Sequence, residues 1–438
     1  MALSPDFRVE FPRLRTPIAL IIDDPAPYVN HLYYLKKELN RDYPDHYEEF
    51  KEIPNDFLED FIALVKEQPV KGKFSVVPNP AGKGYISVGI EGYPEEGVKS
   101  WISRVKEELT EFFDITPEML THVCALDLKT NTLLPMHEQE WARTQTAESL
   151  IPYIVKSLLV LKSVGFNTDG VTSPGAFGTE VEADYADAVL EAVKKVSGAR
   201  LAWYFLHIDH SSKILTPRLV HLDRHRGEAV VSIVSGNKDV IWETSTPKSR
   251  SEWNREKVLQ NADYYVTADG EAGRLVELHK AGSFIVFHTH WNSLWSNNAR
   301  HGLAVLREVL DRINTLLGER VLWMKLSDIA QYYAASKALE AHLEEEPGLM
   351  RLLLDNPFLC VDLTVSFTCN PRVSEVNLSK AEFRSGWDKT KVLEKATRLE
   401  KAGSVLKPNT WLQTNHRTYI CFDNRLGNHL ELTLAPNA

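Results

Sequence analysis

Short apolar runs alternate with amphipathic stretches over the first three quarters of the chain. Ile18 to Ile22 is an unbroken apolar run that ends in Asp23-Asp24, the pattern of a strand buried on both faces of a parallel sheet. Lys73 to Pro78, Leu120 to Leu128, Gly170 to Gly175, Leu201 to Leu206, Val230 to Val234, Ser283 to Phe287 and Val321 to Met324 repeat the motif. Between them, roughly 45–68, 95–113, 145–164, 181–196 and 302–317 carry helical periodicity. In the clearest of these, Leu150, Ile154, Leu158 and Leu161 share one face and Gly165 ends the helix. Strand and helix alternating in this way predict an α/β fold with a parallel sheet. Seven or eight such repeats favour a (β/α) barrel over an open sheet. Near Glu344-Glu345-Glu346 the period changes. Val361, Leu363, Val365 and Phe367 alternate with polar residues, as do Leu430, Leu432 and Leu434. The expected organisation is therefore a barrel over 1–344 and a β-rich, sandwich-like module over 345–438, with one helical stretch near 388–402.

Composition narrows the function without fixing it. The chain has 438 residues, 43% hydrophobic and 25% charged, with a net charge of −10. That balance is ordinary for a globular protein and argues against a nucleic-acid partner, which needs a basic face. No run approaches the ~18 apolar residues of a membrane span, and the N-terminus lacks the basic and apolar regions of a secretory signal. A cytoplasmic location without membrane association is expected. Oligomeric state is not legible. Cys124, Cys360, Cys369 and Cys421 match no metal-ligand spacing and are expected reduced. No glycine-rich phosphate loop follows the first strand.

In an α/β barrel the C-terminal ends of the strands share one mouth, and that rule selects the candidate residues. Asp23 and Asp24 end the first strand. Unpaired buried carboxylates are costly, so two adjacent ones point to proton transfer and metal binding, although Asp-Asp-Pro also suits a turn. His288 and His290 end a later strand two residues apart, so both side chains point the same way. His137, Glu138 and Glu140 precede the strongest helix, where acids also suit the helix dipole. Trp203, His207, Asp209, His210, His221, Asp223 and His225 form a further polar region. Trp141, Trp242, Trp291 and Trp295 lie near these groups in sequence, and tryptophan faces stack on sugar rings.

In their order, these motifs resemble the polysaccharide deacetylase family, the NodB-homology carbohydrate esterases, over roughly residues 17–330. That resemblance implies a distorted (β/α) barrel and a metal-dependent removal of an N- or O-acyl group from a carbohydrate. It implies Asp23 as general base, Asp24 and His137 as ligands of a divalent metal such as Zn²⁺, and His290 or His288 as the catalytic acid. Trp141, Trp291, Glu138, Glu140 and Pro174, the last in Thr172-Ser173-Pro174-Gly175, would border the substrate. Two departures stand out: Trp141 occupies the place of the family's second histidine, and the arginine of its third motif is absent. Either Glu138, Glu140 or His122 then completes the metal site, or the metal is lost. Two other readings stay open. One is a glycoside hydrolase using two carboxylates from among Asp23, Glu138, Glu140 and Asp209. The other is a carbohydrate-binding protein without catalysis.

Overall fold

The computed structural model describes residues 6–39, 50–245, 253–346, 349–368, 373–383, 389–400, 405–414, 417–424 and 429–436. Two compact units result. One comprises 18–221 and 230–327; the other gathers 1–17, 222–229 and 328–438.

The first unit is α/β. Besides two short antiparallel pairs, Tyr28–Val29 with Glu52–Ile53 and Cys124–Asp127 with Thr132–His137, its strands are Thr16–Asp23 (β1), Gly72–Val76 (β2), Phe113–Pro117 (β3), Gly170–Thr172 (β4), Leu201–Ile208 (β5), Arg218–Asp223 (β6), Glu228–Ser235 (β7), Ile285–His290 (β8) and Val321–Trp323 (β9). They form two sheets. In the first, β8, β1, β2 and β3 are neighbours in that order and pair in parallel, with β9 also on β1. The second runs β6, β7, β5, β4. These nine strands pair as two sheets and not as one continuous ladder. Their edges meet through a parallel bridge between Glu118 and Thr172, and through the Gly236 N–H donated to the Val286 carbonyl at 2.7 Å.

Central β1 explains why an apolar run ends in acids. Ile18 to Ile22 are fully buried, as a strand covered on both faces requires. The sheet closes tightly here: a Cβ on Gly72 would sit 1.7 Å from the Leu20 carbonyl oxygen, so only glycine fits. The helices that cover the sheets follow the apolar periodicity. Ala147–Ser163 opens with a capping box on Thr146 and Ser149, and it buries Leu150, Tyr153, Ile154, Leu158 and Leu161. Glu95–Glu108 buries Val98, Trp101, Ile102 and Val105. Among the described residues, no helix is long and apolar enough to cross a membrane.

The second unit contains two five-stranded sheets. One runs Arg8–Val9, Cys360–Thr368, Arg417–Asn424, Thr410–Thr414, Thr397–Arg398; the other runs Glu340–Glu346, Leu349–Asp355, His429–Pro436, Val373–Phe383, Lys389–Lys395. The helical stretch expected near 388–402 is instead strand at Lys389–Lys395 and Thr397–Arg398. Its charges are spaced as on a helix, but antiparallel pairing with Val373–Phe383 overrides that local preference. Residues 388, 401 and 402 lie outside the described residues, as does Cys369. Cys124, Cys360 and Cys421 are buried free thiols.

Candidate functional site

Parallel register brings the strand ends to one edge. His290 stands opposite Asp23, Val76 opposite Pro117, and Phe205 opposite Thr172. A pocket of about 270 Å³ opens there. It is lined by Asp23, Asp24, His31, Glu118, His122, His137, His288 and His290, with Phe205, Ile208 and Trp242 among its apolar members. Such a concentration of ionisable groups in one concave site is the usual mark of a functional centre.

Asp23 is held by Lys73, a fully buried lysine and the second residue of β2. The ammonium donates to Asp23 Oδ1 at 2.6 Å, Ser75 Oγ at 2.8 Å and Thr172 Oγ1 at 2.7 Å. Three acceptors satisfy its three hydrogens. The Ser75 hydroxyl adds a bond to the same Oδ1 at 2.9 Å.

Asp24 faces the other way, into a nest of imidazoles. His122 Nε2 is 2.8 Å from its Oδ1 and His31 Nε2 is 3.5 Å from its Oδ2. Neither contact has hydrogen-bond geometry, and both Asp24 oxygens are buried without a hydrogen-bond partner. Burial opposes the Asp24 charge, but His31, His122 and His290 outweigh it and hold the carboxyl well below the usual range. His31 is pushed down to about 3, chiefly by burial, so its ring is neutral. His122 is raised well above its ordinary value: burial opposes this, and the negative charges of Asp24 and Glu118 prevail. Asp24, His31 and His122 each offer one ligand atom, all within 4.8 Å of one another. A neutral imidazole, an ionised carboxylate and orphaned buried oxygens fit a divalent cation. Two of the three donors are also strained in backbone, with φ of 75° at Asp24 and 63° at His122. Strain of this kind gathers at functional sites.

Glu118 follows β3 and is 2% exposed. Its Oε2 accepts the Asp24 N–H at 2.7 Å, and its Oε1 lies 3.2 Å from His122 Nε2. Burial, then the neighbouring Asp24 charge, raises its carboxyl.

The two strand-end histidines have opposite characters. His288 is buried between Ser235 Oγ and Asn237 Oδ1, at 2.8 and 3.0 Å from Nδ1, and burial pushes it down to about 4. In His290, Nδ1 lies 2.7 Å from Asp239 Oδ2 and the ring meets the edge of Trp242 at 4.8 Å. Burial lowers its affinity for a proton, but Asp24 and Asp239 more than reverse this and lift it to about 9. His290 is therefore an imidazolium at neutral pH, and His288 is not.

Of the expected site residues, Asp23, Asp24, His288, His290 and His137 line one pocket. His137 stands outside the three-donor group. It caps the short helix Glu138–Ala142, its Nδ1 accepting the Gln139 N–H at 3.1 Å, and Glu140 completes the capping box. The three residues whose ligand atoms converge are Asp24, His31 and His122. Glu138, expected beside the substrate, is fully buried. It accepts the N–H groups of Leu120 and Thr121 at 3.1 Å, that of His122 at 2.9 Å, and the Tyr153 hydroxyl at 2.6 Å. Trp141 and Trp291, expected as sugar walls, are packing residues. Trp141 lies on Tyr153 with centroids 4.5 Å apart, and Trp291, 2% exposed, packs on Phe57, Phe61 and Phe74. Pro174 is buried between Ser173 and Gly175, which do line the pocket. Asp209 folds back on Ser211 and Ser212. Sequence reading missed His31, Glu118, Asp239 and Lys73. Signals for three of them existed: a lysine inside an apolar strand run, an acid directly after a strand, and a histidine at the first helix after β1.

No family model and no curated protein matches the chain. Solved structures do. A glycoside hydrolase family 30 subfamily 8 xylanase from Clostridium acetobutylicum is 10% identical, with 100% of this chain and 99% of that one covered, at a TM-score of 0.26. A family 30 endoxylanase from Clostridium papyrosolvens is 8% identical over 100% and 99%, at 0.25. A gamma-CGTase from alkalophilic Bacillus clarkii is 9% identical over 98% and 71%, at 0.32. These comparisons correct the deacetylase resemblance: no deacetylase family model matches the chain.

Proposed function

We propose that the pocket is the active site of a carbohydrate-directed hydrolase assisted by a divalent cation. One observation carries the reading: Asp24, His31 and His122 converge with buried, unsatisfied oxygens, and the protonated His290 lines the same pocket. When bound by Asp24, His31 and His122, a divalent cation supplies Lewis acidity and lowers the pKa of water towards ~7. The protein's own residues do the rest. Asp23, with Lys73 and Ser75 on Oδ1, leaves Oδ2 as the oxygen to accept a proton. His290, oriented by Asp239, donates one to the departing atom. His288, neutral and locked by Ser235 and Asn237, orients its neighbours without giving a proton. Trp242 and Ile208 offer apolar surface to a sugar ring.

The test is turnover on a panel of chromogenic glycosides and oligosaccharides, after chelation and after reloading with Zn²⁺ or Mn²⁺. Hydrolysis should follow the cation, and His290→Gln should lower kcat by about 10²–10⁴. Absence of hydrolysis by the loaded protein, or full activity in Asp24→Asn, sinks the proposal.

A second reading, a glycoside hydrolase without metal, is favoured by one specific feature. The neighbouring carboxyls of Asp24 and Glu118 are pushed in opposite directions, the first down and the second up. Such a divergence separates a carboxylate from a carboxylic acid, the division of labour glycosidases use. Full activity after chelation, with loss in both Asp24→Asn and Glu118→Gln, would select it.

A further inference from the structure

The pocket also holds a neutral side chain that the chemistry above does not use. Among its described lining residues, Gln139 and Ser173 carry an uncharged amide and an uncharged hydroxyl. Ser173 is spent within the protein: its hydroxyl donates to the Tyr185 hydroxyl at 2.8 Å, and its N–H to the Phe205 carbonyl at 3.0 Å. Gln139 is spent at one end only. Its Oε1 accepts the Ala176 N–H at 3.0 Å, which settles which way round the amide stands. Gly175 permits this close approach, since a Cβ there would lie 2.5 Å from the same oxygen. Nε2 is left with two hydrogens and no acceptor among the described residues, and it is not one of the buried atoms that lack a partner. It is therefore open to a ligand. An amide pinned by its oxygen presents such a donor at little cost in conformational freedom. A sugar that lays one face on Trp242 and Ile208 turns its hydroxyls outward from the ring edge, and each needs a new partner once water is displaced.

We infer that Gln139 binds the substrate, donating from Nε2 to a hydroxyl oxygen of the sugar. The inference rests on the carbohydrate-directed active site proposed above. Donation runs one way, because the acceptor end of the amide faces the Ala176 N–H. Gln139 moves no proton, so its bond is made to substrate and transition state alike and shows in KM more than in kcat.

Steady-state kinetics of the full chain on a chromogenic glycoside that it hydrolyses, and on the monodeoxy forms of that glycoside, test this. Gln139→Glu keeps an oxygen for the Ala176 N–H and replaces the donor with a second acceptor. It should raise KM about 3- to 10-fold, with a smaller change in kcat, and Gln139→Leu should do the same. Removing the partner hydroxyl from the substrate should cost the wild type a similar factor and cost Gln139→Leu nothing further. A Gln139→Glu protein with wild-type KM, or a Gln139→Leu loss that adds in full to that of every monodeoxy substrate, overturns the role of Gln139 and leaves the active site standing. A wild-type protein that hydrolyses no glycoside overturns both. Should the Gln139 variants fail to fold, a crystal structure of His290→Gln with the same glycoside decides: Nε2 within about 3.2 Å of a sugar hydroxyl oxygen supports the inference, and no such contact overturns it.

Discussion

At the scale of single residues, Lys73 is the informative case. An ammonium with no exposure is stable only because Asp23, Ser75 and Thr172 take all its hydrogens. Its removal strands a carboxylate in the interior. Lys73→Met should therefore cost about 3–5 kcal/mol in denaturant unfolding. Adding Asp23→Asn to that variant should return much of the loss, since the uncompensated charge is then gone. A Lys73→Met protein as stable as wild type would mean that Asp23 finds another partner. The pair also shows why charge inside an apolar run should be read as chemistry. Lys73 sat in plain view between Gly72 and Phe74, yet apolar pattern alone classed that segment as an ordinary strand.

Among the elements, the loop after β3 matters most. Residues 118–122 carry both Glu118 and His122, and Glu138 clamps three of the loop's N–H groups from the neighbouring short helix. An amide cannot satisfy that set, because its NH₂ would meet a donor. Glu138→Gln should lower the melting temperature, with a buried donor left unpaired at about 1–3 kcal/mol. It should also weaken cation binding at least about tenfold by letting His122 drift. Normal binding in a destabilised variant would separate the clamp from the site. The legibility of the site follows the same division. Strand ends were readable, because a short apolar run has a definite last residue; Asp23, Asp24, His288 and His290 were found that way. His31 and Glu118 were not: a histidine opening a helix and an acid just past a strand are weak signals until parallel register brings different strand ends to one edge. Glu138 and Trp141 misled for the converse reason. Polar and aromatic residues near a helix start look alike whether they face a ligand or bind a loop, and three-dimensional partners decide. The deacetylase resemblance rested on motif order in the same way and did not survive comparison.

For the molecule as a whole, the buried histidines set the pH range of stability. His288 falls to about 4 on folding from an ordinary 6.5. Its contribution is fully present above pH 6.5 and is lost as pH falls towards 4, by up to about 3 kcal/mol. His290 works in the opposite sense. Raised to about 9, it favours the fold below pH 6.5 and loses that contribution as pH rises through 9. Thermal unfolding across pH 4–10 should therefore show a maximum between these limits. His288→Gln should make the acid side shallower without abolishing it, since His31 also falls to about 3 on folding, and leave the alkaline side in place. A wild-type curve that stays level down to pH 4 would contradict the buried neutral ring.

The left-handed backbone at Asp24 and His122 carries an evolutionary corollary. Both positions hold conformations that glycine or asparagine adopts at lower cost. Drift under selection for stability alone would erode them first. A lineage that keeps aspartate and histidine at these two points is under continuing pressure to retain their side chains, and relatives with glycine there would be recognisable as having left the chemistry behind.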